Sequence, residues 1–356
     1  MATVKFSDVV KRANTKEDRF NTNKIYYVGG EHIISGELSI HDRGIIKGST
    51  IGPMFYFGFK KGQVLFVSRN PHLKKAAVAQ FDGICSEKTF VLETIDENRL
   101  LQEYLIIIMR SDDFWNYLEE NKNGGVNYFI NWSTLANYEF DLPSIEDQKE
   151  IADKVWAAYR LKEAYVELLH ASRELVKSQF IEMFGDPILN ERKWAAEPFE
   201  IVAPEIPSSA LKGKVWCLQL DMIESDTGKI IDKVIKDDTE LNSVVPFNDT
   251  NVLYSKLRPL LNKVVVPEES GYCTSELVPL KPNSAVLNRD FLGYMLRTPQ
   301  YVQYGVKISS GTKMPRVNLK AFRKQPCILP PLPLQEEFAA FARQADKSES
   351  LQLKVA

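Results

Sequence analysis

Cysteine and histidine are scarce in this chain, four of each in 356 residues. Cys85, Cys217, Cys273 and Cys327 stand far apart with no CxxC pair, and His32, His41, His72 and His170 do not gather near them. That pattern excludes a disulfide framework and a Cys/His zinc site, and a reducing cytoplasm is the expectation. Long apolar runs are missing too. The strongest is LIIIM, Leu105–Met109, far below the roughly 18 residues that cross a bilayer. The opening MATVKFSDVVKR lacks the apolar stretch of a secretory signal, so no membrane partner is expected. Charge of one sign is also lacking: the net value is −2, which alone demands no nucleic acid. Its distribution says more, because residues 191–330 are mildly basic and 144–190 acidic. A basic domain beside an acidic helical stretch is compatible with DNA on one face.

Catalytic motifs are lacking in the same way. An adenine methyltransferase needs an [ND]PP[YF]-type string to hold a flipped base, and Asn70-Pro71-His72 lacks both the second proline and the stacking aromatic. GIIKGST, Gly44–Thr50, fails the spacing of a phosphate-binding loop, so its glycines read as turn residues. The E-x-K strings Glu120–Lys122 and Glu191–Lys193 have no Pro-Asp partner and read as solvated helix ends. The histidines have no catalytic companions and read as surface or satisfied loop residues. The chain therefore reads as no enzyme, with no catalytic, cofactor-binding or metal-ligating residue.

What the chain does have is a repeat. LPSIEDQKEIADK, Leu142–Lys154, returns as LPPLPLQEEFAAF, Leu329–Phe341, with Gln148 meeting Gln335 at an offset of 187. The same offset brings Asn131 onto Asn318, Gly124 onto Gly311 and Arg110-Ser111 onto Arg297-Thr298. One residue of slip then brings Gly83-x-Cys85 onto Gly271-x-Cys273, Val64-Leu65-Phe66 onto Val252-Leu253-Tyr254, Pro71 onto Pro259 and Lys75 onto Lys263. Ordered agreement over about a hundred residues marks a tandem duplication, and two copies point to a pseudo-twofold object rather than a solenoid.

Each copy begins with short β-branched and aromatic runs broken by Gly, Pro and Asp: KIYYVGGEHI, GPMFYFGF and GQVLFV, then KVWCLQLDMI, TNVLYSKL and NKVVVPEE. These are strands with turn punctuation. Helix-like blocks follow at Arg99–Asn121 and Asn288–Tyr304, then a glycine loop, KNGGVNYFIN or SSGTKMPRVN. Tyr56, Phe57 and Phe59 read as core, and Cys85 and Cys273 as small buried strand residues. A Leu-Pro segment leads into a long helix. Its signals are Ser144 as N-cap, acidic Glu146 and Asp147 in the first turn, apolar residues at three- and four-residue steps from Ile151 to Met183, and a stop at Gly185-Asp186-Pro187. About 40 residues at about 1.5 Å each make a rod of about 60 Å. Such a rod needs a partner along its stripe. The second copy supplies one, expected to begin after Pro333 and run through Phe338, Phe341, Ala345 and Leu351 to Ala356. Its shorter length reads as an unequal pair or a shortened chain. The fold expected is α+β: two tandem α/β domains separated by two long helices that form an antiparallel coiled coil.

This order resembles the specificity subunit of a type I restriction–modification system. The strings that carry the resemblance are LPSIEDQKEIADKV, QFIEMFGDP (Gln179–Pro187), YSKLRPLLNKVVV (Tyr254–Val266) and LPPLPLQEEFAAF, and it covers essentially the whole chain. It departs from the pattern where the first copy has Ser68-Arg69-Asn70-Pro71 in place of KLRP. The resemblance implies target-recognition domains at 1–143 and 185–330, a central spacer helix at 144–184 and a second spacer at 331–356. It implies a non-catalytic reader of a bipartite, asymmetric site in double-stranded DNA. The partners implied are two adenine methyltransferase subunits and, where present, restriction–translocase subunits. S-adenosylmethionine, ATP and Mg are expected on those partners and none on this chain.

Phosphate contacts use Lys and Arg, and base reading uses Arg, Lys, Asn and Gln, so basic residues flanking glycine or proline turns are the candidates. In the first copy these are Arg43, Lys47, Arg69, Lys74, Lys75, Lys122 and Asn127. In the second they are Lys229, Lys233, Lys256, Arg258, Lys263, Lys313 and Arg316. An alternative keeps the duplication and drops the DNA: a coiled-coil assembly scaffold whose domains bind protein.

Overall fold

A computed structural model gives the fold of residues 2–352 and the side chains of 3–347. Ala356 and the side chain of Leu351 lie outside the described residues. The chain divides into two units, Met1–Ala164 and Tyr165–Ala356.

In the first unit, Ala2–Lys5 runs antiparallel to Glu139–Leu142, which ties the chain where the long helix begins. One sheet takes the spatial order Val10–Ala13, Thr89–Thr94, Val64–Val67, Ala76–Ala79, Ser39–Ile40. A second takes the order Gly44–Ile45, Tyr26–Val28, Gly83–Ser86, Phe55–Phe59, and its central pair is parallel. The run VLFV explains the layering. Side chains alternate across a strand, so Val64 and Phe66 join the core beneath the helices, and Leu65 joins the core toward the second sheet. Phe66 stacks on Trp115 at 5.8 Å between ring centres, which seats the helix Asp112–Glu120 on the first sheet.

The second unit repeats the plan. Ala195–Pro198 pairs with Pro326–Leu329. The order Leu277–Leu280, Val252–Ser255, Val264–Val265 matches the middle of the first sheet. Val234–Asp237, Lys214–Leu218, Gly271–Thr274 and Val244–Phe247 match the second sheet, again with a parallel central pair. Val252 and Tyr254 face one core and Leu253 the other.

Each helix-like block proves to be two helices: Gln102–Ile108 and Asp112–Glu120 in the first unit, Arg289–Arg297 and Pro299–Lys307 in the second. The break is a cap. Ser111 Oγ accepts from the Phe114 amide at 3.2 Å. At the matching position Thr298 ends one helix and starts the next, with Pro299 at the first helical position, where a missing N–H is harmless.

The long helix runs Ile145–Phe184. Ser144 caps it, its Oγ accepting from the Asp147 amide at 3.1 Å. It ends at Gly185, which takes the left-handed conformation at φ +75°. In the first unit Trp156 Nε1 donates to the Glu103 carbonyl at 3.0 Å and Tyr159 Oη donates to Glu37 at 2.8 Å. In the second unit its last turns meet the C-terminal helix, Leu332–Gln352. Phe338 lies 5.3 Å from Phe180 and 5.6 Å from Phe184, and Ala345 and Asp346 share a cavity with Ser172 and Val176. One helix therefore ascends as the other descends. The C-terminal helix starts at Leu332, so Pro333 sits inside its first turn rather than ahead of it.

The repeated motif owes its glutamine to one arrangement made twice. Gln148 and Gln335 are both fully buried. Gln148 Nε2 donates to the carbonyls of Arg99 (2.9 Å) and Pro143 (3.0 Å), and its Oε1 accepts from the Leu101 amide at 3.0 Å. Gln335 Nε2 donates to Val286 (3.0 Å) and Pro330 (2.7 Å), and its Oε1 accepts from Asn288 at 2.8 Å. Each glutamine satisfies buried main-chain groups that water cannot reach, fixing the start of a helix against its domain.

Candidate nucleic-acid interface

The candidate surface in each unit is a proline turn joined to a glycine loop. Pro71–Leu73 and Pro259–Leu261 are single 3-10 turns, and each is flanked on both sides by a left-handed residue. These are Asn70 (φ 52°) and Lys74 (φ 48°) in the first unit, Arg258 (φ 49°) and Asn262 (φ 48°) in the second. The first copy lacks the KLRP string yet folds the same turn, because the proline and the main-chain bonds set it. Leu73 N–H donates to Asn70 and Lys74 N–H to Pro71, just as Leu261 does to Arg258 and Asn262 to Pro259.

The glycine loop docks on this turn. The Asn70 amide donates to the Tyr128 carbonyl at 2.9 Å, and the Arg258 amide to Pro315 at 2.8 Å. Gly124 (φ +96°) and Gly311 (φ +101°) make the bend, and a Cβ on Gly124 would stand 2.7 Å from the Asn127 carbonyl. In the second unit this gathers Lys256, Arg258, Lys313 and Arg316, with Arg258 Nη2 donating to the Lys313 carbonyl at 3.4 Å. Arg316 grips Glu276 in a fork at 3.0–3.3 Å, which raises its pKa above the ordinary arginine value. In the first unit Arg69 is bridged to Phe129 of the glycine loop, Asn127 of that loop is exposed, and Lys74 lies 3.8 Å from Asp112. Lys122 is half-buried, paired with Glu119 and lying 4.2 Å over the Tyr128 ring.

Lys75 and Lys263 are placed differently. Both are half-buried, and their ammonium groups donate inward to the carbonyls of Gly30 and Leu220. They tie the turn to the rest of the unit. Arg43 and Lys47 stand apart from the turn, on the strand pair Gly44–Ile45 and Tyr26–Val28 and its loop, with the Arg43 guanidinium over Tyr26 at 4.1 Å. Lys233 pairs with Glu269 and sits over Trp216 at 5.3 Å, and Lys229 is half-buried nearby in the chain. Lys212 and Lys214 are exposed on either side of Gly213.

The thiols of Cys85 and Cys273 are buried on matching strands, and burial pushes each up to about 12. A thiol held there supplies no nucleophile. Phe57 and Phe59 are core, while the Tyr56 hydroxyl donates to Glu87 at 3.0 Å. Among the described residues no helix is long and apolar enough to cross a membrane.

Comparison with known proteins bears on the whole arrangement. Residues 1–164 match the family described as the type I restriction modification DNA specificity domain. The chain is 29% identical over 331 residues to the type I restriction enzyme EcoDI specificity subunit of Escherichia coli, an alignment spanning 81% of this chain and 71% of that protein. The crystal structure of a type I restriction–modification S subunit from M. genitalium superposes with a TM-score of 0.62 at 14% identity, covering 99% of this chain and 91% of that one. A second structure, solved in work on complex assembly and conformational transition of the type I R-M system, gives 0.52 at 20% identity, covering 99% and 92%. The two solved chains share the fold, with α/β domains and a long helix. Residues 1–164 thus match the type I restriction modification DNA specificity domain, and the chain as a whole is similar to specificity subunits of type I restriction–modification systems.

Proposed function

We propose that each unit reads one half of a bipartite, asymmetric site in double-stranded DNA, and that the long helices set the gap and dock two adenine methyltransferase subunits. Restriction–translocase subunits join that core where a system has them. S-adenosylmethionine, ATP and Mg then belong to the partners, and the assembly works in the cytoplasm. This chain contributes recognition and carries no catalytic step. The observation that carries the reading is the turn-and-loop surface made twice, with exposed cations beside each turn. Cations placed that way neutralise phosphates and reach base edges. Docking is supported by Leu161, Leu168 and Leu175, which are 57%, 50% and 55% exposed at seven-residue steps along one helix.

The test is a map of N6-methyladenine in a methylation-free host expressing this chain with its companion methyltransferase, against the methyltransferase alone. A two-part motif with a fixed gap, seen only with this chain, is the expected result. A stable complex that writes no motif would favour the assembly scaffold instead. Two variants sharpen the reading. Replacing Lys313 and Arg316 by alanine should weaken DNA binding and flatten its salt dependence. Inserting one helical turn after Ala171, about 6 Å, should lengthen the gap by about one or two base pairs and leave both half-sites unchanged.

A further inference from the structure

We infer that the two left-handed turns are clamps for the DNA phosphate backbone, with Lys74 the clamping cation in the first unit and Arg258 in the second; this rests on the DNA-reading function proposed above. A residue with a Cβ resists positive φ, and Asn tolerates it best because its short amide bonds locally. Each turn has two such positions and fills one with Asn and the other with a long cation, at opposite ends: Asn70 and Lys74, then Arg258 and Asn262.

The asparagine in the second turn has an internal task. Asn262 is buried, and its Nδ2 donates to the Arg297 carbonyl at 3.0 Å and to Asp226 at 3.1 Å. The cations do not have one of that kind. Arg258 is exposed, with its guanidinium 3.4 Å from the Lys313 carbonyl. Lys74 reaches Asp112 at 3.8 Å in a pair whose side chains are 47% and 92% exposed, a geometry that holds little in place. Folding alone favours Asn or Gly at these positions, so a charged side chain kept in strained backbone serves something outside the unit.

Phosphate fits better than a base edge. The two turns share their backbone and hydrogen bonds, while the cation is an ammonium in one and a guanidinium in the other. Reading guanine with two parallel bonds needs the planar fork of arginine. A phosphate oxygen accepts either head group, and the backbone is what two different half-sites have in common.

The experiment uses the full chain purified with its methyltransferase, and fluorescein-labelled duplexes carrying either the mapped motif or a scrambled sequence. Anisotropy is read across a salt series, with a thermal melt of each variant. For Arg258→Asn, affinity should fall about tenfold near 0.15 M salt, and the slope of log K against log salt should flatten by about one. The methylated motif should stay the same, and the melting temperature should hold or rise. Arg258→Lys should keep the slope, and Lys74→Asn should behave like Arg258→Asn. An unchanged slope in both asparagine variants would overturn the clamp, as would a changed motif, which marks base reading, or a lowered melting temperature, which marks a structural role. If the unaltered complex binds neither duplex, the DNA-reading function itself fails.

Discussion

The two units fasten the same glutamine to the same three main-chain groups and then grip their helices by unlike means. In the first, hydrogen bonds join the apolar packing of Ala152, Val155 and Trp156 on the core. Tyr159 and Lys162 both donate to Glu37, the Ser39 amide donates to Tyr159 Oη at 3.2 Å, and His41 bonds Glu163. In the second, four phenylalanines close on one another: Phe180, Phe184, Phe291 and Phe338 lie with centroids 4.9–6.4 Å apart, all fully buried. The positions that match across the repeat make the point. Phe338 corresponds to Ile151, which is 38% exposed, and Asp346 corresponds to Tyr159. The duplication has kept the element that fixes helix register and let the surrounding contacts diverge, because a buried amide needs its partners individually whereas apolar or polar packing can be rebuilt.

The strongest way to break this comparison is Phe338→Ala. Removing a fully buried ring from the aromatic grip should cost about 3–5 kcal/mol, read as lost hydrogen-exchange protection in the second unit. Ile151→Ala, its counterpart, should cost about 0.5 kcal/mol, as partly exposed sites do. Equal losses at the two positions would mean that the grips are not different in kind. Next come the glutamines. Gln148→Leu and Gln335→Leu each leave two carbonyls and one amide unpaired in a dry site, at about 2–4 kcal/mol. The two should be alike within error when followed by exchange at Leu101 and Asn288, whose amides the glutamines hold. A large effect in one unit and none in the other would show that the shared lock holds only one of them.

What the sequence made legible were features whose cause is local. The strand at GQVLFV, the Ser144 cap and the Gly185 stop all depend on neighbours a few residues away. Features set by distant partners were hidden. Lys75 and Lys263 look like surface cations in a basic string, and the carbonyls that draw them inward belong to Gly30 and Leu220, more than forty residues off in each case. The left-handed backbone at Lys74 and Arg258 carried no glycine to announce it. The breaks at Ser111 and Thr298 had capping residues in plain sight, but the apolar periodicity ran across them, and periodicity alone does not mark a restart. Candidate cations were therefore found by composition, while their roles came from tertiary contacts.

The smallest expected effect separates the grips by pH. Glu37 is held below the ordinary carboxylate range chiefly by the hydrogen bond from Lys162; burial pushes the other way, and the hydrogen bond from the Tyr159 hydroxyl adds to the lowering. Its folded value is lowered, so the folded unit prefers the carboxylate. That contribution is complete above the unfolded value, about 4.3, and is lost as pH falls through the lower folded value. Glu37 is 30% exposed, so solvent limits the gain to about 1 kcal/mol or less. Exchange protection at the Ser39 amide, corrected for intrinsic rate, should decline in that acid window, and Glu37→Gln should remove the decline. Protection at Ala339, inside the aromatic grip, should stay flat across the same pH range. If Ser39 is equally flat, or Ala339 falls with it, the polar latch contributes nothing of its own, and the difference between the units is one of residue choice without an energetic consequence.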